Sequence, residues 1–190
     1  MNEMLLDLQQ RQSTPADLLG DPAPDDNQIA EIIKAGMAAP DHARLKPWRF
    51  IVIRGEARQK LGDLFVEATS RREPDMPADK LEKQRGKPLR SPLIIASVAT
   101  ITEDHPKTPV VEQILSAGAA TQLMQLAATA LGFGSIWLTG PNAADDSVKS
   151  ALGIKPGDEL VGFLYIGTAR NKKPPADQAK LADHVSYWNG

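Results

Sequence analysis

The chain has 190 residues, 42% of them hydrophobic, which predicts one domain over residues 1–190 with a sizeable core. Twenty-two basic against twenty-four acidic residues leave a net charge of -2, so there is no bulk attraction for nucleic acid or an anionic membrane. The absence of cysteine excludes disulfides, thiolate catalysis and cysteine-ligated metal, and it fits a cytoplasmic location.

Met4, Leu5 and Leu8 stand at helical spacing and predict an amphipathic helix over residues 3–12. An acid at Glu3 and the lack of a long apolar run are unlike a signal peptide. The helix gives way to Arg11-Gln12-Ser13-Thr14-Pro15. A cation beside two hydroxyls can grip a phosphate, with charge from Arg11 and hydrogen bonds from Ser13 and Thr14. The alternative is an arginine that complements the end of the helix dipole. Residues 16–25, with Pro22 and Pro24, predict a surface loop. Asp25 and Gln28 then form a capping box, and Ile29, Ile32 and Ile33 carry a second helix to about Ala38.

The stretch from Ala35 to Arg54 changes character twice. Pro40 stops the helix. Asp41, His42, Arg44 and Lys46 follow in a polar, basic loop that Pro47 and Trp48 close. Phe50-Ile51-Val52-Ile53 then reads as a buried strand. A basic loop between two prolines suits an anionic ligand; a plain surface connection is the alternative.

Leu61, Leu64, Phe65 and Ala68 predict a third helix over about 55–71. The charged run from Arg71 to Lys87 predicts an exposed excursion with a short helix near 78–85, either a solvated insertion or a mobile lid. Residues 93–101 form a strand apolar enough for the centre of a sheet and too short to span a bilayer. The longest helix covers Val110 to Leu131, with Gly132 just past its end. Its small residues, Ser116 to Ala120, predict burial all round, within the chain or against a second copy. Residues 132–138 predict a short strand, Asn142 a cap for a helix over about 143–152, and residues 160–167 the last core strand. Arg170, Lys172 and Lys173 with Pro174 and Pro175 predict a basic extended tail.

No nucleophile, base and orienting group stand together. His42, His105 and His184 are scattered and lack metal spacing. The adjacent pairs Asp104-His105 and Asp183-His184 are not a triad. A bound cofactor is therefore the expected carrier of any chemistry. Arg11, Arg44 with Lys46, and the cations from Arg170 onward can converge on its phosphate, and Trp137 with the following loop can lie along a flat ring.

Four blocks, in order and covering nearly the whole chain, resemble the FMN-dependent nitroreductases. They are Arg11-Gln12-Ser13; Ala39-Pro40-Asp41-His42 with Lys46-Pro47-Trp48-Arg49-Phe50; residues 131–137; and residues 161–168. The Asp-His pair after Ala-Pro is similar to a compact bacterial subgroup, the YdjA-like minimal nitroreductases. The resemblance implies an α+β sandwich, a mostly antiparallel sheet flanked by helices, in an intertwined homodimer with FMN at two interface sites. It implies that Arg11 and Ser13 hold the phosphate and ribityl chain. Gln12 between them and Arg170 in the basic tail are further cofactor-binding candidates, the tail cations as compensation for the missing second arginine. Pro40, Asp41 and His42 would reach the flavin from the other subunit, and Trp137, Leu138 and Thr139 would line the isoalloxazine. Gln12 stands where the family usually has a second arginine.

The expected activity is an NAD(P)H-dependent FMN oxidoreductase, with NADH or NADPH as donor and a nitroaromatic, quinone or enone as acceptor, in a ping-pong cycle. Arg44 or Lys46 is the expected cation at the flavin N1–C2 edge. A flavin-binding sensor or carrier without turnover is the rival reading.

Overall fold

A computed structural model describes residues 3–171 and 179–190. The predicted cations Lys172 and Lys173 lie outside the described residues. The strands are β1 (Leu19–Gly20), β2 (Trp48–Arg54), β3 (Leu93–Ala99), β4 (Gly134–Leu138) and β5 (Glu159–Ala169). Every pairing is antiparallel, in the order β1-β5-β3-β2, and β4 also pairs with β5. The helices are α1 (Glu3–Gln10), α2 (Asp26–Gly36), α3 (Ala57–Arg72), α4 (Ala78–Gly86), α5 (Val110–Ala130), α6 (Pro141–Ala144) and α7 (Asp146–Ala151).

All seven residues of β3 are buried, so both faces of the sheet must be covered. On one face Ile94, Ala96 and Val98 cluster with Phe163 and Tyr165 of β5, with Leu61, Phe65 and Ala68 of α3, and with Val148 of α7. On the other, Leu93, Ile95, Leu164 and Ile166 pack with Ile29 and Ile32 of α2 and with Met124 and Ala128 of α5. Period-2 alternation along β3 and β5 thus builds two apolar layers from the same strands. This is the predicted α+β sandwich. No helix among the described residues is long and apolar enough to cross a membrane.

Local signals behaved as their chemistry requires. The Asp25 side chain accepts from the Gln28 N–H at 2.8 Å, and the Gln28 side chain accepts from the Asp25 N–H at 3.0 Å. The excursion after α3 contains α4, which an Arg85–Asp63 ion pair ties to α3.

Tertiary contacts moved several boundaries. The first helix stops at Gln10, because the Thr14 N–H turns to the Ser135 carbonyl at 2.9 Å instead. The predicted loop 16–25 contains β1, whose two residues gain strand character only by pairing with Thr168 and Ala169. The predicted strand 93–101 ends at Ala99, where the Ile101 N–H bonds to the Asp158 carboxylate at 2.9 Å. The predicted helix 143–152 is two short ones. Asp145, not Asn142, caps the second, accepting from the Ser147 and Val148 N–H groups. Within the chain α5 is not buried all round: Val111 is 61% and Leu115 66% exposed.

Candidate active site

Two clefts lie at the two ends of β4. Its five residues, at roughly 3.4 Å per residue, set those ends about 14 Å apart. The N-terminal cleft encloses about 330 Å³ and is lined by Gln10, Arg11, Gln12 and Thr14 facing Phe133, Gly134, Ser135 and Ala169. Residues 11–14 run close along the edge of β4. A Cβ on Gly134 would lie 2.9 Å from both Thr14 Oγ1 and Leu19 Cδ2, so the approach needs glycine there. Arg11 Nη1 is buried with no hydrogen-bond partner among the described residues. A buried cationic donor left unpaired is costly, and an anion in the cleft relieves that cost. Ser13 is exposed and does not line the cleft; Thr14 does. Arg170 follows Ala169 directly, but its guanidinium lies across Gly20, where a Cβ would stand 2.5 Å from Nε.

The C-terminal cleft encloses about 220 Å³. Leu138, Thr139, Pro141 and Asn142 form one wall, Phe65, Phe163 and Tyr165 another, and Lys87 with Arg90 a third. Phe65 and Phe163 meet edge to face with centroids 5.6 Å apart. Arg90 sits over the Tyr165 ring, 5.8 Å from its centroid. Gly140 turns the chain out of β4 with φ 111° and ψ -173°, a conformation essentially confined to glycine. The cleft is therefore flat-walled, apolar in its middle and cationic at one edge.

Its electrostatics follow from crowding. Burial pushes the Lys87 ammonium below its ordinary range, and the neighbouring Arg90 and Arg72 guanidiniums add to that. Burial also raises the Tyr165 phenol to about 12, although Arg90 acts the other way. The hydroxyl therefore stays neutral. Arg72 anchors the rim: its Nη2 donates to Asn142 Oδ1 at 2.6 Å and its Nη1 to Asp145 Oδ2 at 2.5 Å. Burial pushes the Asp145 carboxyl up. Hydrogen bonds from Ser147, Arg72 and the Val148 and Ser147 backbones outweigh it and hold the carboxyl below the usual range.

Lys87 and Arg90 were not among the sequence candidates. Their signal was faint: two cations in the 3₁₀ turn Lys87–Arg90, two residues before the fully buried strand β3. Leu138 and Thr139 do line this cleft, but the Trp137 indole does not. Alternation along β4 sends it to the opposite face of the sheet, towards Gly118 of α5, where a Cβ would lie 3.6 Å from the indole Cη2, and Nε1 donates to the Val161 carbonyl at 3.2 Å.

Pro40, Asp41, His42, Arg44 and Lys46 line neither cleft of their own chain. They form a separate, closely tied loop. Asp41 Oδ2 accepts from the Lys46 N–H at 2.8 Å, and Ser116 of α5 donates its hydroxyl to the Pro40 carbonyl at 2.7 Å.

The comparisons with known proteins agree with this fold. The family model described as "Nitroreductase family" matches residues 8–168. The chain is 43% identical over 157 residues to the Escherichia coli K12 protein named "Putative NAD(P)H nitroreductase YdjA", covering 83% of this chain and 84% of that one. Among solved structures, a nitroreductase-like family protein from Bacillus cereus superposes with a TM-score of 0.83 at 21% identity, covering 100% of this chain and 98% of that one. A nitroreductase with bound FMN from Bacteroides fragilis superposes with a TM-score of 0.73 at 16% identity over 100% of both chains. A sheet ordered around β5, two clefts strung along β4 and a sequence match across most of the chain converge on one assignment: the chain belongs to the nitroreductase family.

Proposed function

We propose that the protein is an NAD(P)H-dependent FMN oxidoreductase acting as a homodimer. The observation that carries this is the pairing of clefts along β4. The buried, unpartnered Arg11 Nη1 marks an anion site at one end, and an aromatic, cation-edged slot marks a ring site at the other. Those residues fit a cofactor with an anionic tail and a flat head. FMN supplies the redox chemistry when bound, accepting a hydride from NADH or NADPH and passing it to an oxidised acceptor in a ping-pong cycle.

The chain's own residues bind and orient. Arg11 holds the phosphate, with Gln12 and Thr14 beside it. Leu138, Thr139 and Phe163 bound the ring. Lys87 and Arg90 face its electron-rich edge and favour the added negative charge. Arg44 and Lys46 are exposed on a loop outside both clefts of their own chain, so they would reach a ring only in the site of the other subunit. That loop, with Asp41 and His42, completes the site of the other subunit, as the family resemblance implies. Acceptors in reach of this chemistry are nitroaromatics, quinones and enones.

The test is an anaerobic titration. Protein loaded with FMN should lose its flavin absorption on addition of NADH or NADPH and regain it on addition of a quinone or nitroaromatic. Flavin that binds and stays oxidised would instead describe a carrier or sensor.

A further inference from the structure

Residues Pro40 to Lys46 are held more firmly than an exposed connection requires. Ala43, Arg44 and Lys46 have φ of 60°, 57° and 50°, three non-glycine residues in the left-handed region within four positions. Such strain persists only where the surroundings over-determine it, and it collects at functional sites. The surroundings here are two residues of α5 one turn apart. Ser116 holds the Pro40 carbonyl, and Glu112 Oε2 lies 2.7 Å from His42 Nδ1. Glu112 also sits in the first turn of α5, where a carboxylate is electrostatically favoured. An ionised carboxylate only accepts, so the ring hydrogen at Nδ1 belongs to this bond and Nε2 is left for a ligand. The His42 and Glu112 side chains are 54% and 44% exposed, so the ring is reachable from outside the chain.

We propose that Glu112 is the positioning residue for His42, and that the pair delivers the proton that must accompany a hydride to quinone-type acceptors. The inference rests on the reading above that His42 faces the site held by the other subunit. A quinone that takes up one hydride gains two electrons and one proton, and its far oxygen becomes an alkoxide-like anion. Protonated His42 gives its Nε2 hydrogen to that oxygen. The N–H bond breaks with its electron pair left on the ring, an O–H bond forms, and the product is the hydroquinone. The electrons come from NAD(P)H, and water returns the proton to His42. Throughout, Glu112 keeps the Nδ1 hydrogen and the ring orientation fixed.

Two measurements test this. The first needs no turnover. In ¹⁵N NMR spectra at a pH where His42 is neutral, Nδ1 should be the protonated nitrogen in the parent and in Glu112→Gln, which keeps an acceptor oxygen. In Glu112→Leu the hydrogen should move to Nε2. The same tautomer in all three proteins would overturn the positioning role. The second compares two oxidants of the NAD(P)H-reduced holoenzyme in stopped flow: p-benzoquinone, which needs a proton, and ferricyanide, which takes single electrons and none. His42→Phe should slow the quinone step by roughly 100-fold and Glu112→Leu by about tenfold, with the ferricyanide step slowed far less. Equal slowing of both oxidants, or of neither, would overturn proton delivery by the pair. A parent holoenzyme that NAD(P)H does not bleach would sink the oxidoreductase reading itself, and this role with it. Bleaching followed by the wrong oxidant pattern sinks the dyad alone.

Discussion

The backbone N–H of Thr14 donates to the carbonyl of Ser135 at 2.9 Å, so the segment carrying Arg11 is laid along β4 like an extra half-strand. Arg11 is thereby aimed by main-chain hydrogen bonding rather than by its own packing. Arg11→Ala should weaken FMN retention while leaving folding nearly intact. A charge-assisted phosphate contact contributes roughly 1.5–3 kcal/mol, or about 10- to 100-fold in affinity. Fluorescence titration of FMN beside a thermal melt reads both. Equal affinity in mutant and parent would remove Arg11 from the phosphate site.

Lys87 should tune the flavin. Replacing it with methionine keeps most of the stem and removes the charge at the ring's edge. The loss of roughly 1.5–3 kcal/mol from the reduced, anionic form corresponds to a midpoint potential about 30–60 mV lower for two electrons. Potentiometric titration measures this. An unchanged potential would mean that Lys87 does not face the ring.

Trp137→Phe tests a residue whose sequence context suggested ring contact and whose indole faces the other layer. The variant loses the Nε1 bond to the Val161 carbonyl and leaves a gap beside Gly118. A cost of about 1–3 kcal/mol is expected, seen as a lower melting temperature, with flavin absorption and reduction rate unaltered. A shifted flavin spectrum would show that the indole reaches the ring after all.

The Arg72–Asp145 pair should make the cleft rim acid-sensitive. The Asp145 carboxyl is held below its unfolded value, so its stabilising contribution is complete above the unfolded pKa and is lost as pH falls through the folded one. Melting temperature should therefore drop on acidification from neutral pH into the carboxylate range, and Asp145→Asn should flatten that drop. Parallel curves for parent and variant would show that other carboxylates carry the acid response.

Flavin binding and dimerisation should be linked. On the proposed arrangement, in which one FMN is shared between Arg11 of one chain and His42 of the other, dilution should release FMN, and excess FMN should hold the dimer together at lower protein concentration. Mixing Arg11→Ala and His42→Ala chains gives a heterodimer with one site doubly damaged and one intact. Quinone reductase activity should then partly return. Subunit exchange without recovered activity would place His42 outside the shared site.

Much of the fold was legible because its signals are local. The Asp25–Gln28 capping box, the apolar run of β3 and the small-residue helix α5 each declare themselves within a few neighbours. What escaped was set by distant contacts. Leu19-Gly20 is a strand only because Thr168-Ala169 lies beside it. The helix predicted from Asn142 splits because Arg72, seventy residues away in sequence, draws Asn142 and Asp145 into one network. At the site, Arg11, Gln12, Leu138 and Thr139 were readable from motif and family likeness. Lys87 and Arg90 were hidden in a run of like charges, where composition cannot tell a solvated cation from one turned into a cleft.

Strand β5 touches β3 along one edge and both β1 and β4 along the other, and it contributes residues to both clefts. Among the described strands it is also the last in sequence, with residue 169 pairing back to residue 19. A nascent chain that has not yet extruded β5 has a β2–β3 hairpin and helices, but no template for β1 or β4 and no cleft at either end. Cofactor capture must then wait until synthesis has passed β5, and the apolar β3 ribbon stays without one neighbour until that moment. Helper proteins acting on the ribosome-bound chain would meet this one late, with its central strand half-dressed.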